Sequence, residues 1–248
     1  MQPCIYDDIG QDYASLREQD PRWSATILKS LGDAHSVINI GAGAGSYEPV
    51  SLDVTALEPS INMIRQRHPD SARVVRGVAE ALPFRDNAFD AALAILTTHH
   101  WVDPATGFSE MLRVSRRQVI VTWAPEVTAE FWLVRDYLPE IQVREAGLAT
   151  LDAAMEHLPG ARAVPLTVPQ DCRDGFLGAY WRRPEVYLDP RARQAISGFA
   201  LLDQRVVEEA MAQLGADLKS GEWENRNRAI LKDDAADLGY RIVVRNGS

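Results

Sequence analysis

Apolar residues in the first half of the chain fall into short runs that polar or glycine-rich turns separate. Segments with helical spacing lie within residues 6–31, with a break at 20–22, and also after Pro59 and at 104–115. One run, 89–96, is almost entirely apolar, as a strand covered on both faces should be. The alternation of strands and helices predicts a parallel sheet with helices on both faces. The five predicted strands are residues 36–40, 54–58, 73–77, 89–96 and 118–123.

The second half of the chain has a looser pattern. Residues 128–158 and 174–235 are expected to be mostly helical, whereas 161–168 and 240–244 have the apolar pattern of strands. We therefore interpret residues 1–248 as a single α/β domain with a helical insertion before its last strand.

The composition and net charge of the chain disfavour some classes of binding partner. The chain has 248 residues and a formal net charge of −9, which disfavours a nucleic-acid partner because phosphates would be repelled. It has no apolar run of the length that spans a bilayer and no secretory signal at its start, so we expect no membrane partner and a cytoplasmic protein. Cys4 and Cys172 are far apart in sequence and are expected to be free thiols in a reducing compartment.

Three glycines follow the first predicted strand, at Gly41, Gly43 and Gly45. A strand–glycine junction brings main-chain amides to the carboxyl edge of a sheet, where ligands of open parallel sheets bind. A tight turn without a ligand is the alternative. The spacing G-x-G-x-G differs from the G-x-G-x-x-G of dinucleotide sites, and Pro49 leaves little room for a long helix. A ligand without phosphates therefore fits better than NAD.

Polar residues follow the second and fourth predicted strands. Glu58 ends the second strand, and a carboxylate there can accept hydrogen bonds from both hydroxyls of a ribose. A solvated carboxylate, or one interacting with a helix dipole, is the alternative. Residues 97–101 (TTHHW) follow the fourth strand and are expected to face the same ligand crevice.

These motifs, in this order, resemble a known family. INIGAGAG (38–45), ALEPSINM (56–63), AEALPFRDNAFD (79–90) and TTHHW (97–101) are similar to class I S-adenosylmethionine-dependent methyltransferases, in the small-molecule group that includes the ubiquinone/menaquinone C-methyltransferases. The resemblance implies a Rossmann-like fold with a seven-strand, mostly parallel sheet of order 3-2-1-4-5-7-6. It also implies lid helices at 1–35, a cofactor-binding core at 36–123 and an acceptor side at 124–248.

The resemblance also implies a cofactor site for S-adenosylmethionine, with S-adenosylhomocysteine as product. The glycine loop would line the methionine portion, Glu58 the ribose, and residues near Pro59 and Val78 the adenine. Asn39 and Val78 stand where the family usually or often has an acidic residue. The expected cofactor-binding residues are Tyr13, Arg17, Gly41, Ala42, Gly43, Glu58, Pro59, Met63, Val78, Ala79, Glu80 and Leu96.

Methyl transfer is often assisted by a general base, and histidine suits that task near neutral pH. His99 and His100 follow the fourth strand, and on an extended chain at most one of them faces the cofactor. We predict His100 as the base, with a structural role as the alternative, and His99 as a second candidate. No metal site is expected. Five aromatic residues are candidates for the acceptor pocket, with ordinary core packing as the alternative: Trp101, Trp132, Tyr137, Tyr180 and Trp181.

The sequence thus predicts a monomeric or homodimeric enzyme that transfers a methyl group from S-adenosylmethionine to a small-molecule acceptor. A non-catalytic S-adenosylmethionine-binding protein is one alternative. An NAD(P)-binding oxidoreductase is another, which the glycine spacing disfavours.

Overall fold

The computed structural model of the protein describes residues 17–194 and 196–247, which contain a central seven-stranded sheet. The strands are β1 (Ser36–Ile40), β2 (Asp53–Glu58), β3 (Arg73–Arg76), β4 (Phe89–Ile95), β5 (Ser115–Trp123), β6 (Arg162–Pro165) and β9 (Tyr240–Arg245), with β7 (Val168–Pro169) and β8 (Ala235–Ala236) forming a separate two-stranded ladder. The order in the sheet is β3-β2-β1-β4-β5-β9-β6; β1 to β5 are parallel, and β9 runs antiparallel between β5 and β6. The predicted order is confirmed, because β9 is the seventh strand of this sheet in chain order.

The sheet separates two apolar cores. Successive side chains of a strand point to opposite faces, so an apolar strand supplies both cores at once. In β4, Ala91 and Leu93 belong to one cluster of buried residues, and Ala92 and Ala94 belong to the other. The apolar run at 89–96 therefore has the coverage on both faces that its sequence predicts.

Helices cover both faces of the sheet. α1 (Pro21–Leu31) packs on one core and α3 (Pro104–Val114) on the other. α2 (Ile61–Arg65) follows β2, and the side chain of Ser60 caps it by accepting a hydrogen bond from the Met63 amide at 3.2 Å. The later helices are α4 (Pro125–Thr128), α5 (Trp132–Asp136), α6 (Glu140–Glu145), α7 (Leu151–His157), α8 (Pro190–Gln194), α9 (Ser197–Ala200), α10 (Gln204–Ser220) and α11 (Glu222–Asn227), with 3₁₀ turns at Thr98–His100, Pro184–Leu188 and Ile230–Lys232.

Caps and turns set the bounds of two segments that were expected to be helical. α1 begins at Pro21, within the expected break at 20–22, because Asp20 caps it and accepts a hydrogen bond from the Arg22 amide at 2.9 Å; the part of the first segment before residue 17 lies outside the described residues. Residues 128–158 are mostly helical, as expected, and the helices are short, since Pro139 precedes α6 and Gly147, at a φ of +84°, follows it. In the part of the chain that the structure describes, no helix combines the length and apolar character needed to cross a membrane.

Candidate functional site

A cavity of about 570 Å³ lies where β1, β2 and β4 end. Tyr13, which the sequence also assigns to the cofactor site, lies outside the described residues. Asn39, Thr97, His100 and Trp101 also line the cavity. The structure brings the other predicted cofactor-binding residues together around it: Arg17, Gly41, Ala42, Gly43, Glu58, Pro59, Met63, Val78, Ala79, Glu80 and Leu96.

The glycine loop presents bare main chain to this cavity. Gly41 has a φ of +69°, and a Cβ atom there would lie 2.0 Å from the Thr97 hydroxyl oxygen, so the position requires glycine. Gly43 has a φ of +53°, but a Cβ atom there would meet no protein atom within 4 Å in the described part of the chain. The first glycine is thus needed for packing, whereas the second leaves room beside the chain.

Glu58 is almost completely buried, and both of its carboxylate oxygens accept hydrogen bonds from main-chain amides. One oxygen accepts from the Gly43 amide at 2.7 Å and the other from the Ser60 amide at 2.8 Å. The carboxylate therefore ties the glycine loop to the end of β2. A carboxylate oxygen can accept more than one hydrogen bond, so this side chain has the chemistry to bind ribose hydroxyls.

A buried ion pair that was not predicted from the sequence contacts the main chain of the glycine loop. Arg67 and Glu48 contact at 2.7 Å, and their side chains are only 4% and 7% exposed. Arg67 also donates to the Gly43 carbonyl at 3.2 Å and to the Ala72 carbonyl at 3.1 Å. The pair is not apparent in the sequence, since neither residue belongs to a motif.

A second network reaches the loop from the other half of the chain. Asp174, which is 1% exposed, accepts hydrogen bonds from Arg17 and from the Tyr47 hydroxyl, the latter at 2.8 Å. The Tyr47 hydroxyl in turn accepts from the Asp20 amide at 3.2 Å. Tyr47 is buried with a φ of +62°, a conformation that non-glycine residues rarely adopt. The network therefore holds a strained residue in the glycine loop.

A second cavity of about 320 Å³ adjoins the first, and Arg17, Leu96 and His100 line both. Leu96 has a φ of +49°, so a second strained residue lies at this junction. The walls of the second cavity are mainly apolar and come from elements distant in sequence. They include Trp123, Thr128, Ile141, Leu148, Phe176, Leu177, Ile196, Leu201 and Tyr240.

The two histidines lie on a 3₁₀ turn and not on an extended chain, so the assumed geometry is wrong, although only His100 lines the cofactor cavity, in agreement with the expectation that at most one faces the cofactor. Their rings are 3.7 Å apart between centroids; His100 lines both cavities and His99 lines the second. Burial lowers the pKa of His100 to about 4. Burial, and then the neighbouring His100, lower the pKa of His99 well below its usual value of 6.5. Both rings are therefore neutral at pH 7.

Of the five aromatic residues that the sequence suggests for the acceptor pocket, Trp101 alone lines either of these two cavities. Trp101 lines the first cavity, where it packs edge-on against Phe108. Trp181 is fully buried and donates to the Val168 carbonyl at 3.0 Å. Trp132, Tyr137 and Tyr180 are likewise absent from the walls of both cavities: Trp132 and Tyr137 are buried in the core, and Tyr180 is half-buried against Tyr187. The large apolar area of these rings is used for packing between the later helices.

Trp123 and Glu145 are the polar pair that sequence reasoning missed in the second cavity. The indole N–H of Trp123 donates to Glu145 Oε2 at 2.9 Å, and the indole ring meets His99 edge-on at 4.8 Å between centroids. Burial raises the pKa of the Glu145 carboxyl to about 6. The place of Trp123 at the end of an apolar strand was the one available sequence signal for this pair. The sequence of α6 gives no such signal for Glu145, because the residues on both sides of it are exposed.

Comparison with known proteins agrees with this geometry. A family model described as a methyltransferase domain matches residues 38–122. A solved structure from Anabaena variabilis, assigned as a methyltransferase from an antibiotic biosynthesis pathway, is 33% identical with a TM-score of 0.86; the match covers 93% of this chain and 99% of that one. The chain belongs to the class I S-adenosylmethionine-dependent methyltransferases.

Curated members of this methyltransferase family match more narrowly. The demethylmenaquinone methyltransferase of Renibacterium salmoninarum is 31% identical over 127 residues, which is 46% of this chain and 53% of the relative. The enzyme of the same name from Paenarthrobacter aurescens is 29% identical over 126 residues, or 45% and 49% of the two chains. The chain thus spans about half the length of the curated relatives that it matches.

The chemistry of the first cavity fits S-adenosylmethionine, the cofactor of the family. Gly43 leaves open space beside the main chain, and Glu58 supplies a buried carboxylate at the cavity wall. Asn39 Nδ2 donates to Glu48 at 3.2 Å, whereas Asn39 Oδ1 is buried with no hydrogen-bond partner among the described residues. A buried acceptor without a donor is costly, and the ammonium group of a methionine moiety would satisfy it.

Proposed function

We propose that this methyltransferase transfers the methyl group of S-adenosylmethionine to a small molecule held in the second cavity. The observation that carries the proposal is the junction at Arg17, Leu96 and His100, where the cofactor cavity adjoins a second, mainly apolar cavity. Two adjoining cavities of this kind suit two reactants that must meet end to end, and holding them there supplies much of the rate enhancement.

The contacts of the cofactor-side residues support the following proposed roles. Glu58 binds the ribose hydroxyls, the glycine loop lies along the methionine portion, and Asn39 Oδ1 accepts from its ammonium group. Pro59, Met63 and residues 78–80 enclose the adenine. When bound, S-adenosylmethionine supplies an electrophilic methyl carbon for in-line displacement. Closure over the methionine carboxylate by Arg17 and Tyr13 remains part of the proposal.

His100 is proposed to act on the acceptor at the junction of the two cavities. Because its ring is neutral at pH 7, it can accept a hydrogen bond from the nucleophilic group of the acceptor and align a lone pair with the methyl carbon. We expect His100→Asn to lower turnover at least tenfold while S-adenosylhomocysteine affinity changes less than twofold. Turnover and calorimetric affinity measured on the same preparation check this, and normal turnover would remove His100 from the reaction.

The alternatives are separated by one binding series and one activity series. Between β1 and β2, the described residues 41–52 form turns without a helix, so no helix N-terminus is available for the pyrophosphate of NAD(P). Calorimetry should therefore detect S-adenosylmethionine and S-adenosylhomocysteine but not NAD. Release of S-adenosylhomocysteine with a panel of phenols, amines and carboxylates then tests for catalysis, and binding without release from any acceptor would favour the non-catalytic alternative.

The setting of the reaction is part of the same proposal. We propose that the protein works in the cytoplasm, as a monomer or homodimer, on an acceptor that is neither nucleic acid nor lipid bilayer. The net charge of −9 and the free, buried thiol of Cys172 support this assignment. Sedimentation and cell fractionation test it.

A further inference from the structure

We infer that the second cavity binds acceptors carrying a cationic nitrogen, and that Glu145 recognises the cation. This inference rests on the proposed function, since it concerns the molecule that receives the methyl group. It specifies the acceptor as a small, largely apolar amine whose ammonium group lies at Glu145.

The wall of the second cavity has an ordered arrangement. His100 lies at the junction with the cofactor cavity, the ring of His99 is 3.7 Å from it, and Trp123 is 4.8 Å beyond His99. Trp123 then donates to Glu145 Oε2 at 2.9 Å. Glu145 lines the second cavity but not the cofactor cavity, so it can anchor an acceptor without taking part in the displacement.

Glu145 is a partly buried carboxylate that has no cationic partner among the described residues. The Glu145 carboxylate accepts a hydrogen bond from the neutral indole N–H of Trp123. Among the described residues, no arginine or lysine forms an ion pair with this carboxylate. Carboxylates enclosed by apolar surroundings are normally paired, because an unpaired charge is strongly penalised. An ammonium group from a ligand is the partner that would relieve this penalty.

The surroundings of Glu145 also suit a cation. Trp123, Phe176 and Tyr240 line the same cavity, and aromatic rings attract cations through their π electrons. His99 and His100 are neutral at pH 7 and do not repel a positive charge. Among the described residues, the other charged groups that line the cavity are Arg144, which is exposed, and Arg17, which is paired with Asp174. The net charge of −9 further favours the approach of cations.

Binding of a matched pair of probes tests the inference without any turnover. We would titrate 2-phenylethylamine and 2-phenylethanol, which differ in the ammonium group, into the complex with S-adenosylhomocysteine. The amine should bind at least tenfold more tightly than the alcohol. Glu145→Gln should abolish that preference, whereas Glu140→Gln, an exposed position on the same helix, should retain it. Equal binding of the two probes to the unaltered protein would overturn the inference, even if the Glu145→Gln variant failed to fold.

The pH dependence gives an independent readout. Amine affinity should fall about tenfold between pH 7 and pH 5, as a carboxyl with a pKa of about 6 becomes protonated. The other titratable groups at this cavity, His99, His100 and Tyr240, stay mostly neutral over that range, and arginine side chains such as Arg17 and Arg144 do not lose their charge in proteins. An amine affinity that stays constant from pH 7 to pH 5 contradicts the role of Glu145. Failure of S-adenosylhomocysteine to bind would instead count against the proposed function, so the two failures are distinguishable.

Discussion

At the scale of single residues, Glu58 has two tasks in one side chain. Its oxygens accept hydrogen bonds from the Gly43 and Ser60 amides, and the residue lines the cavity in which the ribose is proposed to lie. Loop geometry and ligand binding are therefore coupled at this position. An amide side chain would turn one acceptor into a donor directed at a main-chain N–H, which is a repulsive arrangement.

We expect Glu58→Gln to reduce S-adenosylhomocysteine affinity at least tenfold, or about 1.4 kcal/mol. Isothermal titration calorimetry measures the dissociation constant directly. Asp53→Asn is the matched control, because Asp53 is exposed at the other end of the same strand; its dissociation constant should equal that of the unaltered protein. An unchanged constant for the Glu58→Gln variant would refute the ribose role.

The protonation of His100 makes the free energy of unfolding depend on pH. Its pKa is about 4 in the folded protein and 6.5 when exposed, so between these values the unfolded chain binds the extra proton. Stability from this group is therefore fully present above pH 6.5 and is lost as the pH falls toward 4. We expect the free energy of unfolding to decrease by about 2 to 3 kcal/mol from this residue across that window.

Urea denaturation at a series of pH values measures this effect. His100→Gln should give a shallower decline of the free energy of unfolding between pH 6.5 and pH 4. His68→Gln, at a residue whose side chain is 73% exposed, should leave the decline as steep as before. If the curves of the unaltered protein and the His100→Gln variant were parallel, the ring of His100 would not be held neutral by burial.

At the scale of elements, two glycines of the same loop have different roles: Gly41 is required for packing against Thr97, and Gly43 leaves space for a ligand. We expect Gly41→Ala to lower the free energy of unfolding by at least 2 kcal/mol, because its Cβ would overlap Thr97 in a left-handed backbone. Gly43→Ala should cost only about 1 kcal/mol in stability, from its backbone angle alone. Its methyl group would enter the cavity, so it should weaken S-adenosylhomocysteine binding.

Thermal unfolding and calorimetry on both alanine variants check this contrast. Each variant serves as the control for the other, since both replace a loop glycine that has a positive φ. The interpretation fails if Gly43→Ala is the more destabilising of the two while cofactor affinity is retained.

Elements defined by a local pattern were predictable from the sequence, and elements that tertiary contacts shape were not. The strands around 36–40 and 118–123 follow from runs of apolar and β-branched residues, and the structure has them. The extended geometry assumed for His99 and His100 was wrong, because Thr98–His100 turns into a 3₁₀ helix directly after β4. The Thr98 hydroxyl donates to the Ala149 carbonyl at 2.8 Å, a contact that no local pattern indicates.

At the scale of the whole molecule, the cofactor cavity could be foreseen but the second cavity could not. The former is built from strand ends and loops within residues 39–102, plus Arg17, where motif spacing is informative. The walls of the latter come from positions between 96 and 240, plus Arg17, which only tertiary folding brings together. For the same reason the large aromatic residues that the sequence suggests for a pocket in the second half of the chain line neither of these cavities, since composition does not distinguish a core ring from a lining ring.

Arg17, which lines both cavities, contacts Asp174, a residue 157 positions away in the sequence. Asp174 is 1% exposed and the Arg17 side chain 10% exposed, so the pair is buried, and loss of the Asp174 charge removes a buried carboxylate from the Arg17 guanidinium. Removing one member of a buried pair typically costs about 3–5 kcal/mol, so we expect Asp174→Asn to lower the free energy of unfolding by about 3 kcal/mol. Because Arg17 lines both cavities, S-adenosylhomocysteine and acceptor affinities should fall together.

Asp171→Asn provides the control in the same segment of chain. Asp171 pairs with Arg22 at 2.7 Å, but their side chains are 74% and 47% exposed, and exposed pairs contribute about 0–1 kcal/mol. Urea denaturation and calorimetry should therefore show a large effect for the buried carboxylate and almost none for the exposed one. If both variants unfolded at the same urea concentration and bound both ligands normally, Asp174 would not couple the two cavities, and Arg17 would be positioned by other contacts.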